Sequence, residues 1–234
     1  MANSEGNPGE DVKEIYYYVD CTPTHSYQRM LYRYPQAAFP YWQLATENRR
    51  RGQYDPEFEI TDMGVFDNFR YFDVEVEYAK SSVDNILTLV TVHNRADAPA
   101  SIDVLSHLWF CNIWSWDGTT ERPRLTGEGD ARIAIHHPDL PPMKLLCDGK
   151  PILLFCENET NVRRLFGFNA TAYFKDGINN FIVDGNLAAV NPGKSAPRLQ
   201  HIIDCRCPRR PLRRCGCGCS AATRITASRI SMWL

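Results

Sequence analysis

After Asp204 the sequence contains no acidic residue at all. Nowhere does it hold a run of 18 apolar residues, which excludes a membrane-spanning helix of ordinary length. Its first nine residues, Met-Ala-Asn-Ser-Glu-Gly-Asn-Pro-Gly, lack both a basic start and an apolar stretch, so they carry no signal peptide. No glycine-rich phosphate loop is present, and neither Ser26 nor Ser106 stands in a G-x-S-x-G setting. The six histidines are scattered, and His136-His137 point to opposite faces if they lie in a strand. A formal net charge of −2 gives no sign of a nucleic-acid partner. Four scattered cysteines (Cys21, Cys111, Cys147, Cys156) make no disulfide framework. These absences describe a soluble, cytoplasmic protein in a reducing compartment, with no membrane partner, cofactor or metal expected. Two glycosylation sequons, at Asn158 and Asn169, are then read as chance matches.

The missing acids divide the chain. Residues 205–234 hold seven arginines and five cysteines, while residues 1–204 hold 19 basic and 28 acidic residues, a net charge of −9. The segment Cys205-Arg-Cys-Pro-Arg-Arg-Pro-Leu-Arg-Arg-Cys-Gly-Cys-Gly-Cys219 admits three readings. Its Cys-x-Cys spacings lack the C-x₂₋₄-C pairs of a structural zinc site. A disordered basic tail is the second reading. The third is a frameshift near residues 195–204, because Arg, Cys, Gly and Pro dominate when a GC-rich gene is translated out of frame.

What remains is rich in strand signals. The stretch from Tyr71 to Trp116 reads as three successive strands. Tyr71–Tyr78 alternates polar and apolar residues, as a strand with one wet face does. Ile86–Val92 and Ile102–Trp116 are apolar on both faces and are expected at the middle of a large β-structure. Residues 94–99 are expected to join those two as a hairpin. Glu14–Cys21, Ala131–His137, Lys144–Cys147, Ile152–Cys156 and Ile178–Val183 read as further strands, with Asp148-Gly149 as a hairpin turn. One helix is expected over Pro40–Arg51, with Gly52 just past its end and Tyr41, Leu44 and Ala45 on one face. The expected fold is mainly β: a β-sandwich over residues 13–200 with one short inserted helix. Residues 1–12 are read as disordered or truncated, and 201–234 as an irregular tail.

Chemistry is harder to place. Asp73, Glu75 and Glu77 share a strand face, which solvated carboxylates do routinely, and Glu157 and Glu159 flank a strand end. No pair stands out as an acid and base. Trp114 and Trp116 fall at i and i+2 before a polar loop, where aromatics can form either a platform for a sugar ring or a packed corner of the core. Arg49, Arg50 and Arg51 can complement the helix dipole or contact an anionic or sugar ligand. Trp114, Trp116, Arg49 and Arg50 are therefore the candidate substrate-binding residues, and no catalytic residue is assigned.

Several motifs fall together in one order. They are Gly9-Glu-Asp-Val-Lys-Glu14, Asp20-Cys-Thr-Pro-Thr-His-Ser-Tyr27, Tyr34-Pro-Gln-Ala-Ala-Phe-Pro40, Glu47-Asn-Arg-Arg-Arg51, Thr61-Asp-Met-Gly-Val-Phe-Asp67, Arg70-Tyr-Phe-Asp-Val74, Leu108-Trp-Phe-Cys-Asn-Ile-Trp-Ser-Trp116, Glu157-Asn-Glu-Thr-Asn161 and Lys175-Asp-Gly177. Across residues 3–195 they resemble the amino-terminal part of glucosidase-like proteins similar to glycoside hydrolase family 63. The resemblance implies an amino-terminal β-sandwich that partners a catalytic (α/α)₆ barrel in the full-length protein. The barrel carries the acid and base that hydrolyse α-glucosidic bonds with inversion. It also implies that this chain, without the barrel, is catalytically inert, with an oligosaccharide as possible ligand. Cys21 and Cys111 stand where the family pattern has serine and arginine. A stand-alone carbohydrate-binding or interaction module is the alternative.

Overall fold

A computed structural model describes residues 15–170, 172–207 and 219–226; at residue 117, at 198–207 and at 219–226 only the backbone is described. The fold is mainly β, with two antiparallel sheets and a few short helices. The chain divides into two compact units. One takes the described residues within 1–78, 89–102 and 205–220, the other those within 79–88, 103–204 and 221–234.

The first unit is built on strands in the order β1 (Ile15–Cys21), β2 (Tyr27–Pro35), β3 (Tyr71–Ser82) and β4 (Asn85–Asn94). The turn between β1 and β2 is tied by Thr22, whose Oγ1 accepts from the backbone N–H of Ser26 at 3.0 Å and of Tyr27 at 3.1 Å. Helix α1 (Tyr41–Arg50) follows Pro40, as its start and stop signals predict. Leu44 is fully buried, whereas Ala45 is exposed, so the apolar face is narrower than the spacing suggests. β3 has a neighbour on each side, β2 and β4. β4 buries Val90, Val92 and Asn94 on one face, an alternation hidden by its uniformly apolar sequence.

The second unit is a two-sheet sandwich. One sheet runs β12 (Cys219–Thr226), β8 (Leu140–Cys147), β7 (Arg132–His137), β6 (Arg124–Gly127) and β10 (Ser195–Ala196); the other runs β5 (Ala100–Trp109), β11 (Arg198–Cys207) and β9 (Ile152–Cys156). Leu125 pairs with Ile135 and Ile135 with Met143, while Ile133 pairs with Leu145, so all five point to one face. They meet Leu108 of β5, Phe155 of β9 and Ala196 of β10 in a core that excludes water. Each such side chain stabilises the fold by roughly 1.5–3 kcal/mol relative to exposure. Gly127 leaves room for this packing: a Cβ there would lie 3.5 Å from the Phe155 ring and 3.3 Å from Lys194 Cβ.

Four expectations are corrected. Residues 94–99 are not a hairpin, because β4 and β5 belong to different sheets, and β5 is an edge strand. Asp148-Gly149 likewise turns a corner between sheets, from β8 into β9; Gly149, at φ 70°, still serves the turn. Residues 178–183 form part of helix α4 (Gly177–Asp184), not a strand. Ile178, Phe181 and Ile182 recur at helical spacing and pack on Leu154 and Cys156, the face of β9 that points away from Phe155. β9 is apolar throughout because it is covered on both sides. Finally, the polar loop expected at 117–130 contains β6, whose Leu125 is fully buried.

Of the Cys/Arg-rich tail, the backbone of β11 and β12 is extended and paired. Residues 208–218 and 227–234 lie outside the described residues, as do 1–14. Among the described residues no helix is long and apolar enough to cross a membrane.

Candidate binding site

The structure separates the two tryptophans expected to act together. Trp114–Asp117 forms a single helical turn, α2, in place of the end of a strand. Along a helix i and i+2 lie about 200° apart, so the two rings cannot share a face. Trp114 is 8% exposed and Trp116 83% exposed. The indole N–H of Trp114 finds no acceptor among the described residues. At the end of α1 the arginines also part. Arg49 is exposed, Arg50 donates to Glu47 Oε1 at 2.8 Å, and Arg51 turns back to bond the Pro56 carbonyl and stack on Phe58. None of these four predicted residues lines a described cleft.

Two polar constellations do form. The first covers one face of the sheet in the first unit, where β2 and β3 alternate in phase. The Tyr27 hydroxyl donates to Glu77 at 2.6 Å, and Arg29 pairs with Glu75. Asp73 accepts from Arg33 Nε at 3.2 Å through one oxygen and from Arg95 Nε at 2.6 Å through the other. The Arg33 guanidinium also lies over the Tyr71 ring, 4.4 Å from its centre. The hydrogen bond to Glu77 holds the Tyr27 phenol above its ordinary pKa, and the bond to Glu75 raises that of Arg29. The three carboxylates thus serve a cross-strand ladder, and each is already engaged.

The second lies in the second unit, at the end of the sandwich where β10 is only two residues long. Here Arg122, Arg124, Glu157 and Ser195, walled by Pro123 and Pro197, surround a cleft of about 240 Å³. The register places Ser195 opposite Thr126, with their hydroxyls 3.4 Å apart, so Ser195 faces outward while Ala196 enters the core. Arg122 pairs with Glu157, and its guanidinium lies 5.9 Å from the centre of the Trp114 ring. Glu157 is fixed at the end of β9 by its backbone N–H, which donates to the Tyr173 carbonyl at 2.6 Å. Next to it, Asn112 and Asn158 lock two loops: Asn112 Nδ2 donates to the Asn158 carbonyl at 3.0 Å, and Asn158 Nδ2 to the Phe110 carbonyl at 2.9 Å. Arg124 forms no ion pair among the described residues. The cleft thus offers guanidinium donors, a carboxylate acceptor and a hydroxyl that does both.

Sequence reasoning singled out Glu157 but missed Arg122, Arg124 and Ser195. Arg122-Pro-Arg124 carries no motif, and 35 residues separate Arg122 from its partner. The cysteines at positions 21, 111, 147 and 156 form no disulfide. Burial pushes the Cys147 thiol up to about 11. Among the described residues no three His, Cys, Asp or Glu side chains gather as a metal-binding group.

No family model matches the chain. A protein of Saccharomyces cerevisiae, the uncharacterized protein YMR196W, is 34% identical to it over 242 residues, an alignment that takes in 86% of this chain and 22% of the yeast protein. The chain therefore spans about a fifth of the length of the relative it matches.

Proposed function

We propose that this chain is a non-catalytic β-domain of a longer, cytoplasmic glycoside hydrolase similar to family 63, which hydrolyses α-glucosidic bonds with inversion through a separate barrel. The observation that carries the reading is the disproportion of the yeast match, 86% of this chain against 22% of the relative. In that relative the matching stretch is joined to a polypeptide several times its length. The ordered motifs from Asp20 to Gly177 supply the glucosidase half of the reading, through resemblance. The ladder supports the non-catalytic half: Asp73, Glu75 and Glu77 each hold a cross-strand partner and leave no free acid and base facing one bond. Exposed Leu165, Phe166 and Phe168, with the two rings 6.2 Å apart, give a further domain an apolar surface to cover.

Two assays test the two halves. The purified chain is expected to release no glucose from α-glucosides above the uncatalysed rate; release by the chain refutes the non-catalytic assignment. The full-length yeast relative is expected to release glucose as the β-anomer, seen by proton NMR before mutarotation. No release from a panel of α-linked di- and oligosaccharides removes the glucosidase assignment.

A further inference from the structure

We infer that the cleft between Arg122, Arg124, Glu157 and Ser195 is a subsite for one neutral sugar residue. The class of ligand follows from the donors and acceptors present. A small anion uses donors alone and finds only Arg124 uncompensated, because Glu157 already neutralises Arg122. A cation meets two guanidinium groups. A vicinal diol suits both kinds of group, since one hydroxyl donates to Glu157 while its neighbour accepts from Arg122 or Arg124, and Ser195 can serve either. At about 240 Å³ the cleft lies below the usual range for larger ligands, which selects one ring and not an extended chain.

The surroundings are those of a built site. Glu157 and Arg122 restrain each other, the Tyr173 carbonyl fixes the backbone at Glu157, and two buried prolines form rigid walls. Arg124, exposed and without an ion pair among the described residues, is free to close on a bound ring. Trp114 lies beneath Arg122 and is not itself a wall of the cleft. Its role is to support the guanidinium through its ring face, a different task from that of a sugar platform. This inference rests on the glucosidase reading only for the choice of glucose as the probe.

The test is a titration of the full purified chain with glucose, maltose and inorganic phosphate, followed by calorimetry and ligand-observed NMR. Saturable glucose binding is expected, with a dissociation constant on the order of millimolar for so small a contact. Glu157→Gln is expected to weaken it at least tenfold. Because that change also releases Arg122, Arg124→Gln is the companion variant: its side chain supports no ion pair, so the fold is unaffected, and binding weakens by a similar factor. Three results overturn the subsite: no saturation by glucose or maltose, phosphate binding without sugar binding, or unchanged sugar binding in both variants. If the long relative hydrolyses α-glucosides while this chain binds no sugar, the subsite alone fails. If this chain binds glucose and the relative hydrolyses nothing, the glucosidase reading alone fails.

Discussion

Replacing Asp73 by alanine is expected to cost far more than any other change in the ladder. Its side chain is 5% exposed, whereas those of Arg33 and Arg95 are 30% and 39% exposed. Removing one partner of a fully buried pair costs about 3–5 kcal/mol, mostly because the other charge is stranded. Here the stranded charges are arginines that reach water, so the cost falls to about 2–4 kcal/mol, the value of two charge-assisted hydrogen bonds with partial relief. Arg33→Ala and Arg95→Ala leave Asp73 one guanidinium each and are expected to cost about 1 kcal/mol apiece. The double-mutant cycle of Asp73 with Arg33 should then give a coupling of about 1 kcal/mol. Glu47→Ala serves as the control. Its pair with Arg50 is an i,i+3 contact on the open face of α1, and a change within about 0.5 kcal/mol is expected. Urea denaturation at pH 7, with unchanged slope, measures all of these. If Asp73→Ala matches Glu47→Ala, the ladder is surface decoration and the reasoning is wrong.

Other expectations are briefer. A Cβ at Gly177 would sit 2.1 Å from the Ala189 carbonyl oxygen, so Gly177→Ala should destabilise by about 3 kcal/mol, read as a lower melting temperature. Phe155→Ala opens a cavity at the centre of the sandwich and should cost about 3–5 kcal/mol by denaturation. Cys147 is neutral in the folded chain up to about pH 11, whereas an unfolded thiol ionises near 9.0. Its contribution is therefore complete below pH 9 and is lost between there and about 11, so the stability difference from Cys147→Ala should shrink across that window. Cys21 and Cys111, both exposed, should alkylate with iodoacetamide at pH 8 well before Cys147. Trp114→Phe should keep most of the packing and remove an unsatisfied N–H, so it should cost less than Trp114→Ala, while Trp116→Ala should leave stability unchanged.

Strand existence was legible wherever neighbours impose alternation. Ile133 and Ile135 announce their face because the opposite side of β7 carries Arg132 and His136. Pairing between strands was not legible, because a turn signal such as Asp148-Gly149 fixes the local backbone and not the sheet that the chain enters next. The helix α4 was misread for a related reason. Six residues, Ile-Asn-Asn-Phe-Ile-Val, fit period 2 and period 3.6 about equally well, and the packing of Ile178 and Phe181 on β9 decides between them. The two tryptophans show the same limit: a spacing of two means one face on a strand and opposite sides on a helical turn.

The candidate site was less legible still, and the reason is physical. A ladder such as Asp73, Glu75 and Glu77 advertises itself because one strand supplies three charges in register. The cleft takes Arg122 and Arg124 from β6 and its approach, Glu157 from beyond β9, and Ser195 from β10, and of these Glu157 alone draws notice in its own segment. What brings them together is the core. Leu125, Phe155 and Ala196 are driven inward, and alternation then forces Arg124 and Ser195 outward on the same rim, beside the Glu157 that follows β9. A core substitution that tilts β10, such as Ala196→Val, is therefore expected to weaken glucose binding although residue 196 supplies no polar group. Unaltered binding in a variant whose stability has fallen would show that the rim is held by its own ion pair and not by the packing beneath it.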